Sequence, residues 1–250
     1  MIKVKTEDEI NKMRRAGRVV AKALELCRQM VKPGLRISDL DAAIEELILS
    51  CDAIPAFKGY RGYPATICAS VDDEVVHGIP DSRRLKEGAI IGIDVGALLD
   101  GYYADAAVTL PIGRVSAQAA RLIDAAREAL DAAIQEARPG RRVCDISRAI
   151  QTTVEKRGFN VVRSYTGHGI GSRLHEDPQI PNYVDGRSES FDDILVSGAT
   201  LAIEPMVNEG TWRTRVLSNG WTVVTADGRL SSHFEHTVAV QPHGPEVLTV

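Results

Sequence analysis

The sequence predicts an α+β fold built on a mostly antiparallel sheet, and three observations carry that expectation. Helical and strand-like segments come in blocks, helices then sheet then helices then sheet, joined by hairpins rather than crossovers. Two strand-like runs, AIIGIDVGALL at 89–99 and YYADAAVTL at 102–110, are separated only by Asp100-Gly101. An Asp-Gly pair between such runs is a strong hairpin signal, because both turn residues must take positive φ. Finally, KPGLRISDLDAAI at 32–44 aligns without gaps with RPGRRVCDISRAI at 138–150, matching Pro, Gly, Arg, Asp, Ala and Ile. Pro-Gly turns before helices also arise independently. Taken as a repeat, the match divides one domain, 1–250, into related halves of about 1–112 and 113–250.

The first helix is expected to start at Thr6, where Thr6 and Glu9 form a capping-box pattern. Apolar residues then recur at helical spacing through Met13, Val20, Ala23, Leu24 and Cys27, and Pro33-Gly34 stops the run. A second helix is expected over about 39–49. A third runs over about 117–137 and stops at Pro139-Gly140. A fourth runs over about 145–156 and stops at Gly158. In both halves the pattern reads helix, Pro-Gly turn, capped helix. Besides the hairpin, strands are expected at 199–208 and 233–240.

Bulk properties exclude several classes. A net charge of -4 gives no basic field for nucleic acid. Cys27, Cys51, Cys68 and Cys144 are scattered with no CxxC pair, which suits reduced thiols in a cytoplasm better than a disulfide framework. The first residues lack the apolar run of a signal peptide, and nothing approaches a membrane-spanning length. A cytoplasmic protein is expected. HExxH, GxSxG and Walker A patterns are missing from the sequence.

The chemistry begins at the hairpin. With Asp100-Gly101 as a two-residue turn, Leu99 faces Tyr102, Gly96 faces Asp105 and Asp94 faces Ala107. Facing residues share a sheet face, as do residues two apart. Asp94 and Asp105 thus become diagonal neighbours about 7–8 Å apart at Cα. Like charges so placed need compensation, which a divalent cation supplies. A solvated face would also tolerate them, but Ile91, Ile93, Val95 and Val108 argue that at least one face is buried. Glu204 in LAIEPMV and Glu235 in HFEHTVAV are further acids inside apolar runs. Either alone reads equally as an edge-strand glutamate; together with the aspartates they make a carboxylate-rich site. His168 sits among glycines in TGHGIG, His175 follows in LHEDP, and His77 precedes a proline in VVHGIP. By strand alternation His233 shares the face of Glu235, whereas His236 points away and is a poor ligand candidate.

These residues and their neighbours resemble type I methionine aminopeptidase, a peptidase family of the pita-bread fold. The resemblance rests on HGIP at 77–80, IDVG at 93–96, DGYYAD at 100–105, GHGIG with His175 behind it, IPNY at 180–183, IEPM at 203–206 and FEHT at 234–237. It runs from about Thr6 to the C-terminus. No long insertion and no N-terminal zinc-binding extension is seen, which matches the short bacterial form. The resemblance implies two pseudo-symmetric halves around a curved antiparallel sheet with helices on its outer face. It implies that Asp94 chelates one metal, that Asp105 and Glu235 bridge two, and that His168 and Glu204 hold the other. Four carboxylates and one imidazole suit Mn(II), Fe(II) or Co(II). Such a pair of ions lowers the pKa of a shared water for attack on a carbonyl. The resemblance assigns Glu204 a proton-shuttling role, His175 the oxyanion and His77 the scissile amide.

A methionine pocket is expected from Phe57, Tyr60, Tyr63, Cys68, Leu174 and Trp221, each of which also fits ordinary core packing. The partners implied are N-terminal Met peptides of nascent chains, met near the ribosome by a monomer, with a small second residue. Three departures stand out. Phe57 replaces the Cys of some bacterial relatives, His233 stands where Gln is common, and VDGRSESFDD at 184–193 is acidic and long. None removes a ligand. Two other readings compete: a proline-specific aminopeptidase or dipeptidase, which usually carries an extra N-terminal domain, and a non-catalytic binder, which would have lost ligands.

Overall fold

The computed structural model describes residues 2–184 and 192–250. The central part of the acidic segment at 184–193 therefore lies outside the described residues. Four α-helices are present among the described residues: α1 (Glu7–Met30), α2 (Ile37–Ser50), α3 (Ala117–Glu136) and α4 (Val143–Lys156). Thr6 caps α1 as expected: its Oγ1 accepts from Glu9 N–H, and Glu9 Oε2 accepts from Thr6 N–H at 2.7 Å. The starts of α2 and α4 differ from expectation. Both begin two residues earlier, and the α2 cap makes no side-chain hydrogen bond. Their first amides are met by a neighbouring loop instead. Ile37 N–H donates to Arg83 O and Ser38 N–H to Asp81 O, while Val143 N–H donates to Asp193 O.

A nine-stranded sheet carries the site, and its pairings are antiparallel. Its order is Ile54–Pro55, Ile90–Leu99, Tyr102–Pro111, Glu235–Gln241, Thr200–Ile203, Thr166–Gly169, Glu176–Pro181. Ile67–Val71 and Gly244–Val247 pair beside this path. The hairpin has the expected register, with Leu99 opposite Tyr102, Gly96 opposite Asp105 and Asp94 opposite Ala107. Asp100 and Gly101 take φ of 52° and 79°.

The pleat then sorts the side chains. Ile91, Ile93, Val95, Ala104, Ala106 and Val108 join the core beneath the helices. Asp94, Gly96, Asp105 and Ala107 point to the opposite, concave face. On the other side of the sheet Leu201, Ile203, Val238 and Val240 enter the same core, leaving Glu204 and Glu235 on the concave side.

The strands expected at 199–208 and 233–240 are each interrupted. Thr200–Ile203 and Met206–Asn208 flank a break at Glu204-Pro205, and Ser231–His233 and Glu235–Gln241 flank a break at Phe234. Pro205 has no N–H to continue a ladder. Beyond the breaks, the two chains pair again in a small sheet, with Met206 opposite His233.

The sequence repeat has a physical counterpart. Gly34 N–H donates to Leu85 O and Leu85 N–H to Leu35 O; Gly140 N–H donates to Leu195 O and Leu195 N–H to Arg141 O. Gly88 N–H bonds Ile112 O and Ile112 N–H bonds Ala89 O, just as Gly198 N–H bonds Val240 O and Val240 N–H bonds Ala199 O. The same backbone device is built twice.

Candidate metal centre and substrate pocket

The concave face encloses a cavity of about 270 Å³. Every residue singled out from sequence lines it: Asp94, Asp105, His168, Glu204 and Glu235, then His77 and His175, then Phe57, Tyr60, Tyr63, Cys68, Leu174 and Trp221. The five proposed ligands come from four strands and one strand end, so the sheet itself fixes their spacing. His168 lies opposite Ala202, which places it on the face of Glu204.

Asp105, His168 and Glu235 are buried, and one donor atom from each lies within 4.8 Å of the others. Asp94 and Glu204 keep a sliver open to the cavity. His168 Nε2 stands 3.7 Å from Asp105 Oδ2 and 3.6 Å from Glu204 Oε1. The single hydroxyl proton of Thr237 is shared between Asp105 O at 2.8 Å and Asp105 Oδ1 at 3.1 Å. Asp94 Oδ1 is buried with no hydrogen-bond partner. Among the described residues Arg61 is the one Lys or Arg side chain lining the cavity.

Four carboxylates so placed strain one another. Burial, and then the charge of Asp105, pushes Asp94 well above the ordinary range. Burial also dominates for Glu204 and Glu235, with the neighbouring acids adding to it. Asp105 rises to about 6 through burial, although His175 and the Thr237 hydroxyl pull the other way. Burial holds His168 and His175 neutral, at about 4 each, and His233 at about 3. Crowded acids with an orphaned oxygen and neutral imidazoles beside them fit a cation site: oxygen-rich, with a nitrogen ligand in its basic form.

The remaining residues form the walls. His77 takes a left-handed φ of 59°, and its ring meets Tyr165 and Trp221 edge-on. His175 shares a hydrogen bond with the Tyr60 hydroxyl at 2.8 Å, and its ring lies 4.2 Å from that of His168. Its strand neighbour Glu176 is clasped by Lys5 at 2.8 Å, with both side chains buried. Phe57, Tyr63, Cys68 and Leu174 belong to an apolar cluster separate from the main core, with Tyr60 and Trp221 packed against it. Gly96 makes room for that cluster, since a Cβ there would meet Phe57 Cε1 at 2.7 Å. Burial keeps the Cys68 thiol protonated.

Sequence reasoning overlooked Arg61, Val76, Ser164, Tyr165, Thr166 and Met206, which also line the cavity. Met206 had a legible signal, being two residues beyond Glu204 on the same chain. Thr166 had the same signal, two residues before His168 on one strand, and Val76 ends a strand just before His77, whereas Arg61, Ser164 and Tyr165 sit on turns and irregular segments with no periodicity to read. His233 lines the cavity as its shared face with Glu235 implied, and His236 does not, its Nδ1 being engaged by Thr249 Oγ1 at 2.8 Å.

Fold and site define a metallopeptidase, and the chain belongs to metallopeptidase family M24, whose pattern matches residues 11–242. Within that family it is 49% identical to a methionine aminopeptidase of Clostridium acetobutylicum, covering 100% of this chain and 99% of that protein. It is also 49% identical to methionine aminopeptidase 1 of Bacillus subtilis, again over 100% of this chain and 99% of that protein. The crystal structure of methionine aminopeptidase from Thermotoga maritima superposes with a TM-score of 0.96 at 48% identity, covering 100% of this chain and 99% of the other.

Proposed function

We propose that this chain removes the N-terminal methionine from nascent proteins whose second residue is small, using two divalent ions. The observation that carries the proposal is the convergence of four crowded carboxylates and His168 in one cavity, walled by an apolar pocket. That the chain is about half identical to methionine aminopeptidases over its full length supports the same activity. Asp94 would hold one ion, Asp105 and Glu235 would be shared between the two, and His168 and Glu204 would hold the other, with Mn(II), Fe(II) or Co(II) suited to the donor set. Such ions, when bound, supply an acidified water and polarise the scissile carbonyl.

The residues do the rest. Glu204, whose basicity is raised by burial, moves the proton toward the leaving amine. His175, neutral and oriented by Tyr60, donates to the developing oxyanion. His77 contacts the scissile amide. Phe57, Tyr60, Tyr63, Cys68, Leu174 and Trp221 take the methionine side chain. A charged first residue would lose its hydration there without gaining a partner. Among the described residues no helix is long and apolar enough to cross a membrane. The work is assigned to a monomer in the cytoplasm, near the ribosome.

The test is hydrolysis of Met-Ala-Ser, Ala-Ala-Ser and Met-Leu-Ser by chelator-stripped protein, with Mn(II), Fe(II), Co(II) or Zn(II) added back. Metal-dependent cleavage of the first peptide, with the other two slow, is expected. Equal cleavage of all three would show a general aminopeptidase, and metal-independent cleavage would remove the proposed chemistry.

A further inference from the structure

His233 lines the cavity without being one of the proposed ligands, and its surroundings give it a task. Its backbone is pinned from the opposite half of the sheet: His233 N–H donates to Thr109 Oγ1 at 2.9 Å, and that hydroxyl donates to His233 O at 2.8 Å. The same device pins Asp105. Asp105 N–H donates to Thr237 Oγ1 at 3.0 Å, and that hydroxyl donates to Asp105 O at 2.8 Å. The backbone bonds repeated in the two halves make the two threonines counterparts, and hence Asp105 and His233 counterparts as well. Asp94 and Glu204 are counterparts by the same correspondence, Asp94 on the strand that follows Gly88 and Glu204 at the end of the strand that follows the matching Gly198. Asp105 is thus set beside Asp94 in one half as His233 is set beside Glu204 in the other.

The ring of His233 is buried, and its Nε2 has no hydrogen-bond partner. That atom faces Glu204 Oε2 at 3.6 Å, while the other oxygen, Oε1, faces His168 at the same distance. Glu204 therefore lies between two imidazoles, one per oxygen. A hydrogen-bond role needs only a shift of a few tenths of an ångström to reach normal N–H···O distance.

We infer that His233 is a positioning residue, whose Nε2–H donates to Glu204 Oε2 and thereby leaves Oε1 to share an ion with His168. An orphaned donor beside a carboxylate is costly until the bond forms, so the bond fixes the carboxylate's rotation. Outer partners of this kind hold a ligand ready for its ion, and their loss costs about 10–100-fold in metal affinity or activity. The inference rests on the reading that Glu204 and His168 hold one of two ions.

The experiment compares His233→Met with His233→Gln, side chains of similar length of which only the second has a donor. Calorimetric titration of the stripped proteins with Mn(II) is expected to show one of the two sites weakened about 10–100-fold in the Met variant and largely restored in the Gln variant. On Met-Ala-Ser the Met variant should lose kcat with little change in KM. A Met variant that binds two ions and turns over like wild type would overturn the inference, as would a Gln variant no better than the Met variant. Should the Met variant fail to fold, 15N spectra of the wild-type imidazoles with Zn(II) bound provide the readout, using His233→Gln for assignment. A protonated Nε2 on His233 is expected, and an unprotonated one overturns the proposal. If wild type itself neither binds Mn(II) nor cleaves the peptide, the function reading falls first. If it does both and only the variants disagree, the inference alone falls.

Discussion

The floor and the walls of the cavity are built by different means. The floor is sheet: Asp94, Asp105, His168 and Glu235 project from paired strands, and Glu204 follows directly on another. Pleat and register fix their spacing, and the large helix-backed core fixes the sheet. The walls draw mainly on irregular backbone, although Cys68 sits on the strand Ile67–Val71. His77 sits at a left-handed turn, Tyr60 and Tyr63 flank a tight turn in which Arg61 has φ of 50°, and Trp221 follows the turn at Gly220. A rigid floor suits groups that must hold charge against charge, because crowded carboxylates left free would swing apart. Walls on loops suit a pocket that grips one side chain and releases it after each turnover.

The largest expected effect lies in the floor. Asp105→Ala or Glu235→Ala should abolish peptide cleavage while the apo protein still folds, since each removes a proposed bridge and relieves like-charge crowding. Wild-type turnover by either variant at saturating metal would break the assignment of the floor.

The walls should separate chemistry from metal binding. His175→Ala is expected to lower kcat by about 2.7–4 kcal/mol of transition-state stabilisation, the range for losing one oxyanion donor. His77→Ala should also slow turnover. Mn(II) affinity by calorimetry should be unchanged in both. A collapse of metal binding in His175→Ala would move that residue from the wall to the floor.

The smallest effect is a count of protons. Carboxylates whose pKa is raised by burial stay partly protonated in the metal-free protein, and bound cations displace those protons. Asp105, at about 6, is protonated below that pH and ionised above it. The part of the proton release on Mn(II) binding that comes from Asp105 should therefore shrink as pH rises from about 6 toward 8. Calorimetry in buffers of different ionisation heat measures it, and release that grows with pH would contradict the charge picture of the floor.

The same division explains what could be read from sequence. Asp100-Gly101 set the hairpin register, and the period of two then placed Asp94 and Asp105 on one face by geometry alone. Alternation also separated His233 from His236 correctly. It did not show that Pro205 and Phe234 break their strands, because continuity of pattern hides a change of sheet. Nor did it show Tyr165 or Arg61, whose approach to the cavity depends on turns with no repeat. The pocket residues Phe57, Tyr60, Tyr63, Leu174 and Trp221 were reached through family resemblance rather than spacing, and Met206 was missed although it lies beside Glu204. The α2 and α4 starts were misplaced because a loop from elsewhere in the chain, rather than a side-chain cap, meets their first amides.

The central claim is that one concave sheet face holds a pair of cations between Asp105 and Glu235. An anomalous difference map from crystals grown with Mn(II) tests it directly. Two peaks are expected, both touching Asp105 and Glu235, one completed by Asp94 and the other by His168 and Glu204. A map with no peak among these five residues, or with ions held elsewhere in the chain, would contradict it.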